Sequence, residues 1–149
     1  MTFRKEIFFL VGPTCTGKSK IAVELLKKHP FEIIYMDSSA VYKNLDIGTD
    51  KPSKDILEKY SHHMIDIVEP NEPFNVNFYC KTVEGIVDQI ISKRKIPLIV
   101  GGTMMYFNRL LQGINLLPER DTVERNFIKY LIDRFGLNII HSCLKIIDL

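Results

Sequence analysis

The 149-residue sequence predicts an α/β protein, a mainly parallel sheet flanked by helices, in which a loop after the first strand cradles phosphate. Three observations carry that expectation. Gly12 to Ser19 reads Gly-Pro-Thr-Cys-Thr-Gly-Lys-Ser: a glycine, four residues, a second glycine, a lysine and a hydroxyl. The apolar run Ile7 to Val11 precedes it, and apolar residues at helical spacing follow it. Two further apolar runs of strand length, Phe31 to Met36 and Ile96 to Val100, end in Asp37 and in Gly101-Gly102-Thr103. Strand ends of that kind deliver residues to the ligand crevice of an open α/β sheet.

The loop is the chemically specific element. Its glycines let the backbone turn so that successive amides point at phosphate oxygens, Lys18 adds a full positive charge, and the following helix presents its positive end. Gly12, Pro13, Thr14, Cys15, Thr16, Gly17, Lys18 and Ser19 are therefore the expected phosphate-binding residues, with Ser19 as the expected Mg²⁺ ligand. A glycine-rich turn without chemistry is the plainer reading, and the strand and helix flanks weigh against it. By itself the loop fits a small-molecule kinase as well as any other phosphate-handling enzyme.

Composition sets bounds. One domain of this length buries a real core, and 46% hydrophobic with 26% charged residues is ordinary for a globular chain. A net charge of +2 is too small to argue for nucleic-acid binding, so any RNA contact has to be local. No run reaches membrane-spanning length, and the five-residue apolar run after Glu6 is short for a signal peptide, so a cytoplasmic protein with no membrane partner is expected. Cys15, Cys80 and Cys143 show no metal or redox spacing and fit a reducing compartment. Cys15 reads as a small tolerated side chain in preference to a reactive thiol.

In order along the chain, Ile7 to Val11 reads as a central strand buried on both faces. Ile21, Ala22, Leu25 and Leu26 mark a helix stopped by Pro30. Phe31 to Met36 is the second strand, making Asp37 a site candidate. Ser38 to Pro52 is irregular and therefore a candidate functional segment. Ser53 caps a short helix to about Tyr60, and Met64 to Val68 forms an apolar stretch with Asp66 embedded. His62 and His63 invite a metal reading, but neighbours on a strand face opposite ways, so a structural or edge role is favoured. Val83, Ile86, Val87, Ile90 and Ile91 form a helical stripe that packs on the sheet. The cluster Lys93, Arg94, Lys95 at its end reads first as solvated charge complementing the helix, and RNA contact is the minority reading. After Thr103 comes a helix stopping near Gly113, a proline-containing connector over Leu116 to Glu119, and a helix begun by a capping-box-like Asp121 to Glu124 and ended at Gly136. Asn138 to Leu149 is a final helix with an apolar face. The expected division is a phosphate-loop core over 1–113 and a helical extension over 114–149.

Taken together, the ordered motifs resemble the tRNA dimethylallyltransferase family, also called tRNA isopentenyltransferases. The phosphate loop, Asp37-Ser38-Ser39-Ala40-Val41-Tyr42-Lys43, Asp46-Ile47-Gly48-Thr49-Asp50-Lys51-Pro52, His62-His63-Met64-Ile65-Asp66-Ile67 and Ile96 to Phe107 follow one another at family-like spacing. The resemblance runs from about Ile7 to Arg125. It implies transfer of a dimethylallyl group from dimethylallyl diphosphate to the exocyclic amine of the adenosine beside the tRNA anticodon. It also implies that Lys18 and Mg²⁺ neutralise the leaving diphosphate, that Asp37 accepts the amine's proton, and that Thr103 lies at the reacting centre. Asp37, Ser38, Ser39, Ala40, Thr103 and Arg125 are its implied tRNA contacts. Two plainer roles remain beside these: Asp37 as a water-mediated Mg²⁺ acid, and Arg125 as a surface helix residue. Family members continue for about as long again, so the chain is expected to be truncated at the start of a tRNA-binding helical insertion. Its final apolar face is then expected to need the missing half or another chain to cover it. A noncatalytic diphosphate-binding remnant and a related enzyme acting on free adenine nucleotides are the remaining alternatives.

Overall fold

The computed structural model describes residues 6–113 and 121–147, and the chain divides into two compact units, Met1–Ile114 and Asn115–Leu149. In the first unit the described strands are β1 (Phe8–Val11), β2 (Phe31–Met36), β3 (His62–His63) and β4 (Ile96–Gly101). They form one parallel sheet in the order β1-β4-β2-β3. The helices of this unit are α1 (Lys18–Lys28), α2 (Lys54–Lys59), α3 (Val76–Ser92) and α4 (Met104–Gln112). The expected α/β class with a parallel sheet and flanking helices is what the chain adopts.

β2 and β4 hold the centre because they are six-residue, almost wholly apolar strands in register from Phe31↔Ile96 to Met36↔Gly101. Ile33, Ile34, Met36, Leu98, Ile99 and Val100 are all buried. α1 lies against β1, β4 and β2, while α3 packs on β4 and on α4. α3 begins where Asn75 Oδ1 accepts the Phe78 N–H at 3.0 Å. It buries Tyr79, Cys80, Val83, Val87 and Ile90, close to the stripe the spacing predicts. Tyr79 stacks on Tyr106 of α4 at 4.4 Å and donates its hydroxyl to Tyr35 O at 3.2 Å, which ties helix to sheet.

Two expectations are corrected, and one stretch gains a definite geometry. Among the described strands β1 lies at an edge and not at the centre: β4 enters between β1 and β2, leaving Phe8 45% and Val11 37% exposed. A short apolar run satisfies both positions, so periodicity could not separate them. In the apolar stretch Met64 to Val68, Met64 (φ 66°) and Asp66 (φ 53°) are left-handed and interrupt any extended run. The chain rejoins sheet-like pairing only at the Tyr42↔Val68 bridge. The basic cluster is not simply solvated. Lys95 Nζ reaches Glu32 Oε1 at 2.7 Å and Lys93 Nζ lies 3.9 Å from Glu32 Oε2, with His63 Nε2 on the same Oε2 at 2.8 Å.

Glu32 is thus a buried carboxylate, 2% exposed, at the strand end away from the phosphate loop. His63 is its partner and His62 bonds Tyr60 O through Nδ1 at 2.7 Å, so the two histidines do point apart.

The second unit consists of α5 (Thr122–Phe135) and α6 (Leu137–Ile147), which pack on each other. Asp121 Oδ1 accepts the N–H groups of Val123 at 2.7 Å and Glu124 at 3.3 Å. Gly136, at φ 85°, makes the turn between the helices. Phe127, Tyr130, Leu144 and Ile147 are exposed. The connector expected over Leu116 to Glu119 lies outside the described residues, as do the last two residues of the expected final helix.

Burial pushes the Glu32 carboxyl up, but hydrogen bonds from Lys95 and His63 and the nearby lysine charges outweigh it and hold the pKa below the usual range. A lowered carboxylate stabilises the fold above its ordinary pKa and loses that contribution as pH falls through it. Burial also pushes the His62 imidazole down, so protonation of the unfolded chain draws stability away as pH falls below 6.5. Glu32→Gln is expected to cost roughly 3 kcal/mol at pH 7, the low end for a broken buried pair because its cations are partly solvated. The same variant should flatten the drop in melting temperature below about pH 5, leaving the shallower decline from His62; thermal melts across pH 4–8 check both.

Candidate active site

The site is built at the carboxyl ends of the parallel strands. Gly17 (φ 82°) is the left-handed residue from which α1 starts, a conformation that costs a β-carbon-bearing residue but not glycine. Thr16 Oγ1 and Lys18 Nζ both donate to Pro13 O, at 2.9 and 2.5 Å, so the loop is closed on its own carbonyl. Cys15 sits at φ 65° and is exposed. Ser19 Oγ accepts the Tyr35 hydroxyl at 3.3 Å. Burial first of all raises that phenol's pKa, keeping it a donor.

A small cleft of about 40 Å³ gathers Thr14, Lys18 and Ser19 of the loop, Asp37 from the end of β2, and Gly101 and Gly102 from the end of β4. Asp37 Oδ1 accepts Ser39 N–H at 2.8 Å, Ser39 Oγ–H at 2.6 Å and Ala40 N–H at 3.1 Å. Three donors on one oxygen fix the orientation of the carboxylate. Thr103 comes close to this point through its N–H to Met36 O at 3.4 Å, and its side chain makes no capping bond to α4. Gly101 is required there: a β-carbon would lie 2.0 Å from Met36 O. One on Gly102 would lie 3.1 Å from Gly12 O, so β4 closes directly on the loop.

Of the remaining expected contacts, Ser38 is exposed, while Ala40 is 0% exposed and offers no surface of its own, because its N–H caps Asp37 and its methyl group enters the core. Arg125 is an exposed residue of α5 in the second unit.

Sequence reasoning missed Asp50 as a site residue. It lines the same cleft at φ 53°, a left-handed conformation that costs a non-glycine residue energy. The neighbouring Lys51 explains how it is held. Its side chain is 4% exposed, and Nζ donates to Tyr42 O at 2.6 Å, Asp66 Oδ1 at 2.6 Å and Asp46 Oδ1 at 3.0 Å. Burial lowers the ammonium's pKa, but the two carboxylates more than reverse this and keep it charged. The irregular 42–52 segment is therefore strapped down by one buried cation. A lysine between Asp and Pro in an otherwise turn-rich stretch was the available signal, but its partner Asp66 lies 15 residues away.

A glycine loop between β1 and α1, faced by a strand-end carboxylate and paired glycines, defines an α/β protein of the phosphate-loop type. Comparison with known proteins narrows this. The family model for IPP transferase matches residues 40–149 and that for isopentenyl transferase matches residues 5–70. The chain belongs to the IPP transferase family, as the ordered motifs indicated. It is 40% identical over 140 residues to a tRNA dimethylallyltransferase of Thiobacillus denitrificans, covering 94% of this chain and 45% of that one. It is similar to the full-length tRNA isopentenylpyrophosphate transferase of Bacillus halodurans, with TM-score 0.73, 33% identity, and coverage of 97% of this chain and 48% of the other. A eukaryotic dimethylallyltransferase seen acting on tRNA matches with TM-score 0.67 and 28% identity over 76% of this chain and 30% of its own. The chain thus spans about half the length of the relatives it matches most fully.

Lys51→Met keeps the buried stem and removes the charge. It is expected to cost about 1–2 kcal/mol, since Asp46 and Asp66 regain water while Tyr42 O loses its donor. Limited proteolysis should then cut within 43–50 faster, at unchanged protection of β2.

Proposed function

We propose that this chain carries the donor half of a tRNA dimethylallyltransferase site, moving a dimethylallyl group from its diphosphate to the exocyclic amine of the adenosine next to the anticodon. The observation that carries the reading is the shared cleft, in which loop amides and Lys18 lie with the oriented carboxylate of Asp37. The carbon–oxygen bond to diphosphate breaks with its electron pair leaving on oxygen, the amine nitrogen forms the new bond to carbon, and Asp37 accepts the proton that the amine releases. Lys18 and the loop N–H groups stabilise the charge that grows on the leaving diphosphate. Lys18 exchanges its bond to Pro13 O for the ligand's oxygens. Thr103, next to Met36 and with an uncommitted capping position, suits a contact to the acceptor.

The cleft suits Mg²⁺. Ser19, Asp37 and Asp50 all bring oxygen to it, the hard donors that this ion prefers. Among the described residues no group of three or more His, Cys, Asp or Glu could hold a metal by itself. Ser19 would be the protein ligand of such an ion, with phosphate oxygens and water completing its shell. When bound, it supplies charge neutralisation for the departing diphosphate. Exposed Ser38 and Arg125, with Ser39 and Thr103, are the proposed tRNA contacts, and the names of the relatives support tRNA as the acceptor. Among the described residues no helix is long and apolar enough to cross a membrane.

The test is transfer of labelled dimethylallyl groups to unmodified tRNA by this chain, alone and mixed with the C-terminal half of a relative. Lys18→Ala is expected to lower transfer about 10²–10³-fold through lost anion stabilisation. Asp37→Asn should lower it about 10²–10⁴-fold through lost proton acceptance. No transfer under either condition, with ATP bound in preference to dimethylallyl diphosphate, would sink the reading.

A further inference from the structure

Beside the phosphate cleft lies a second, larger cavity of about 260 Å³, and Ser19 and Tyr35 line both spaces. Its walls are mainly hydrocarbon: Val23 of α1, Ile33 and the Tyr35 ring of β2, Pro52 at the end of the strap and Ile56 of α2. Of the polar side chains at its border, Lys20 of α1 is solvent-exposed and the others have partners already. Ser19 Oγ takes the Tyr35 hydroxyl at 3.3 Å, Glu24 Oε1 pairs with Lys27 at 2.6 Å, and His62 Nδ1 is bonded to Tyr60 O at 2.7 Å. A purine or a peptide in this space would meet few directed hydrogen-bond partners, and a buried polar group without one is costly. A hydrocarbon needs none.

Size says how much hydrocarbon. An apolar cavity of about 150 Å³ stays dry and takes up benzene, which has six carbons. In proportion, this space holds roughly ten carbons, twice the five of a dimethylallyl group.

We propose that the cavity is a hydrocarbon subsite adjoining the phosphate loop, and that it admits prenyl diphosphates longer than five carbons, up to about the ten of geranyl diphosphate. This rests on the reading of the loop as a diphosphate-donor site. The diphosphate lies at Lys18 and Ser19, and the chain passes the Tyr35–Ser19 pair into the space between α1, β2 and α2. Each further buried methylene adds favourable transfer from water, so affinity rises with chain length until the cavity is full.

The experiment is calorimetric titration of this chain, with Mg²⁺ present, by pyrophosphate, dimethylallyl diphosphate and geranyl diphosphate. Geranyl diphosphate is expected to bind at least tenfold tighter than dimethylallyl diphosphate. Val23→Phe, which fills the cavity from the α1 side, should reduce that ratio to below threefold. Pyrophosphate, which has no hydrocarbon, reports in the same variant whether fold and loop are intact. If Val23→Phe fails to fold, Ile56→Phe closes the space from the α2 side. Equal affinity for the two prenyl diphosphates, or a ratio that survives filling, overturns the inference. Failure of pyrophosphate to bind the unaltered chain instead overturns the donor-site reading. Geraniol, which requires no phosphate contact, then decides the cavity: saturable binding abolished by Val23→Phe upholds it, and no binding overturns it.

Discussion

The approach of β4 to β2 at Gly101 is the constraint on which the site depends. With no room for a β-carbon between this residue and Met36 O, the two strands end side by side, and the chain segments that follow them are forced together. Asp37 leaves β2 at that point and Thr103 is tied back to Met36 O one residue after Gly102. Gly102 in turn abuts Gly12 O, which brings the phosphate loop to the same place. The Asp37 carboxylate and the glycine loop, from distant stretches of sequence, share one cleft with Gly101 and Gly102 because backbone meets backbone there without side chains between. The energetic foundation is ordinary: buried aliphatic residues of β2 and β4, covered by α1 and α3.

Charge is handled in two opposite ways at the two ends of the sheet. At the far end Glu32 is buried, hydrogen-bonded to His63 and paired with the lysine charges of Lys95 and Lys93, an arrangement that joins β2, β3 and the start of β4. At the site end the buried ion is Lys51, and its partners hold down an irregular strap with left-handed residues at Asn44 and Asp50. Left-handed conformations at residues with side chains are unfavourable and persist where surrounding contacts over-determine them. The three bonds of Lys51 are such contacts. Successive residues of the strap then serve different spaces: Asp50 faces the phosphate cleft, Lys51 the clamp and Pro52 the hydrocarbon cavity.

Much of this was legible along the chain. The loop, the strands Phe31–Met36 and Ile96–Gly101, the stripe of α3 and the Asp121 cap all arise from local rules: period, turn chemistry and capping act over a few residues. Asp37 and Thr103 were legible as strand-end residues, and the motif order pointed to the family. Strand order, the partners of Glu32 and the role of Asp50 were not, since each depends on residues 15 to 63 positions apart.

By itself, then, the sequence determined which segments become strands and helices, the glycine loop between the first strand and helix, and the family to which the chain belongs, because these depend on local stereochemistry and on ordered motifs. Only the tertiary structure decided that β1 lies at the edge of the described sheet, that Ala40 is interior, that Lys51 is a buried clamp and that a hydrocarbon cavity adjoins the phosphate loop. The physical reason is that burial and charge pairing are properties of neighbours in space, and no periodicity in the chain specifies which distant segment becomes the neighbour.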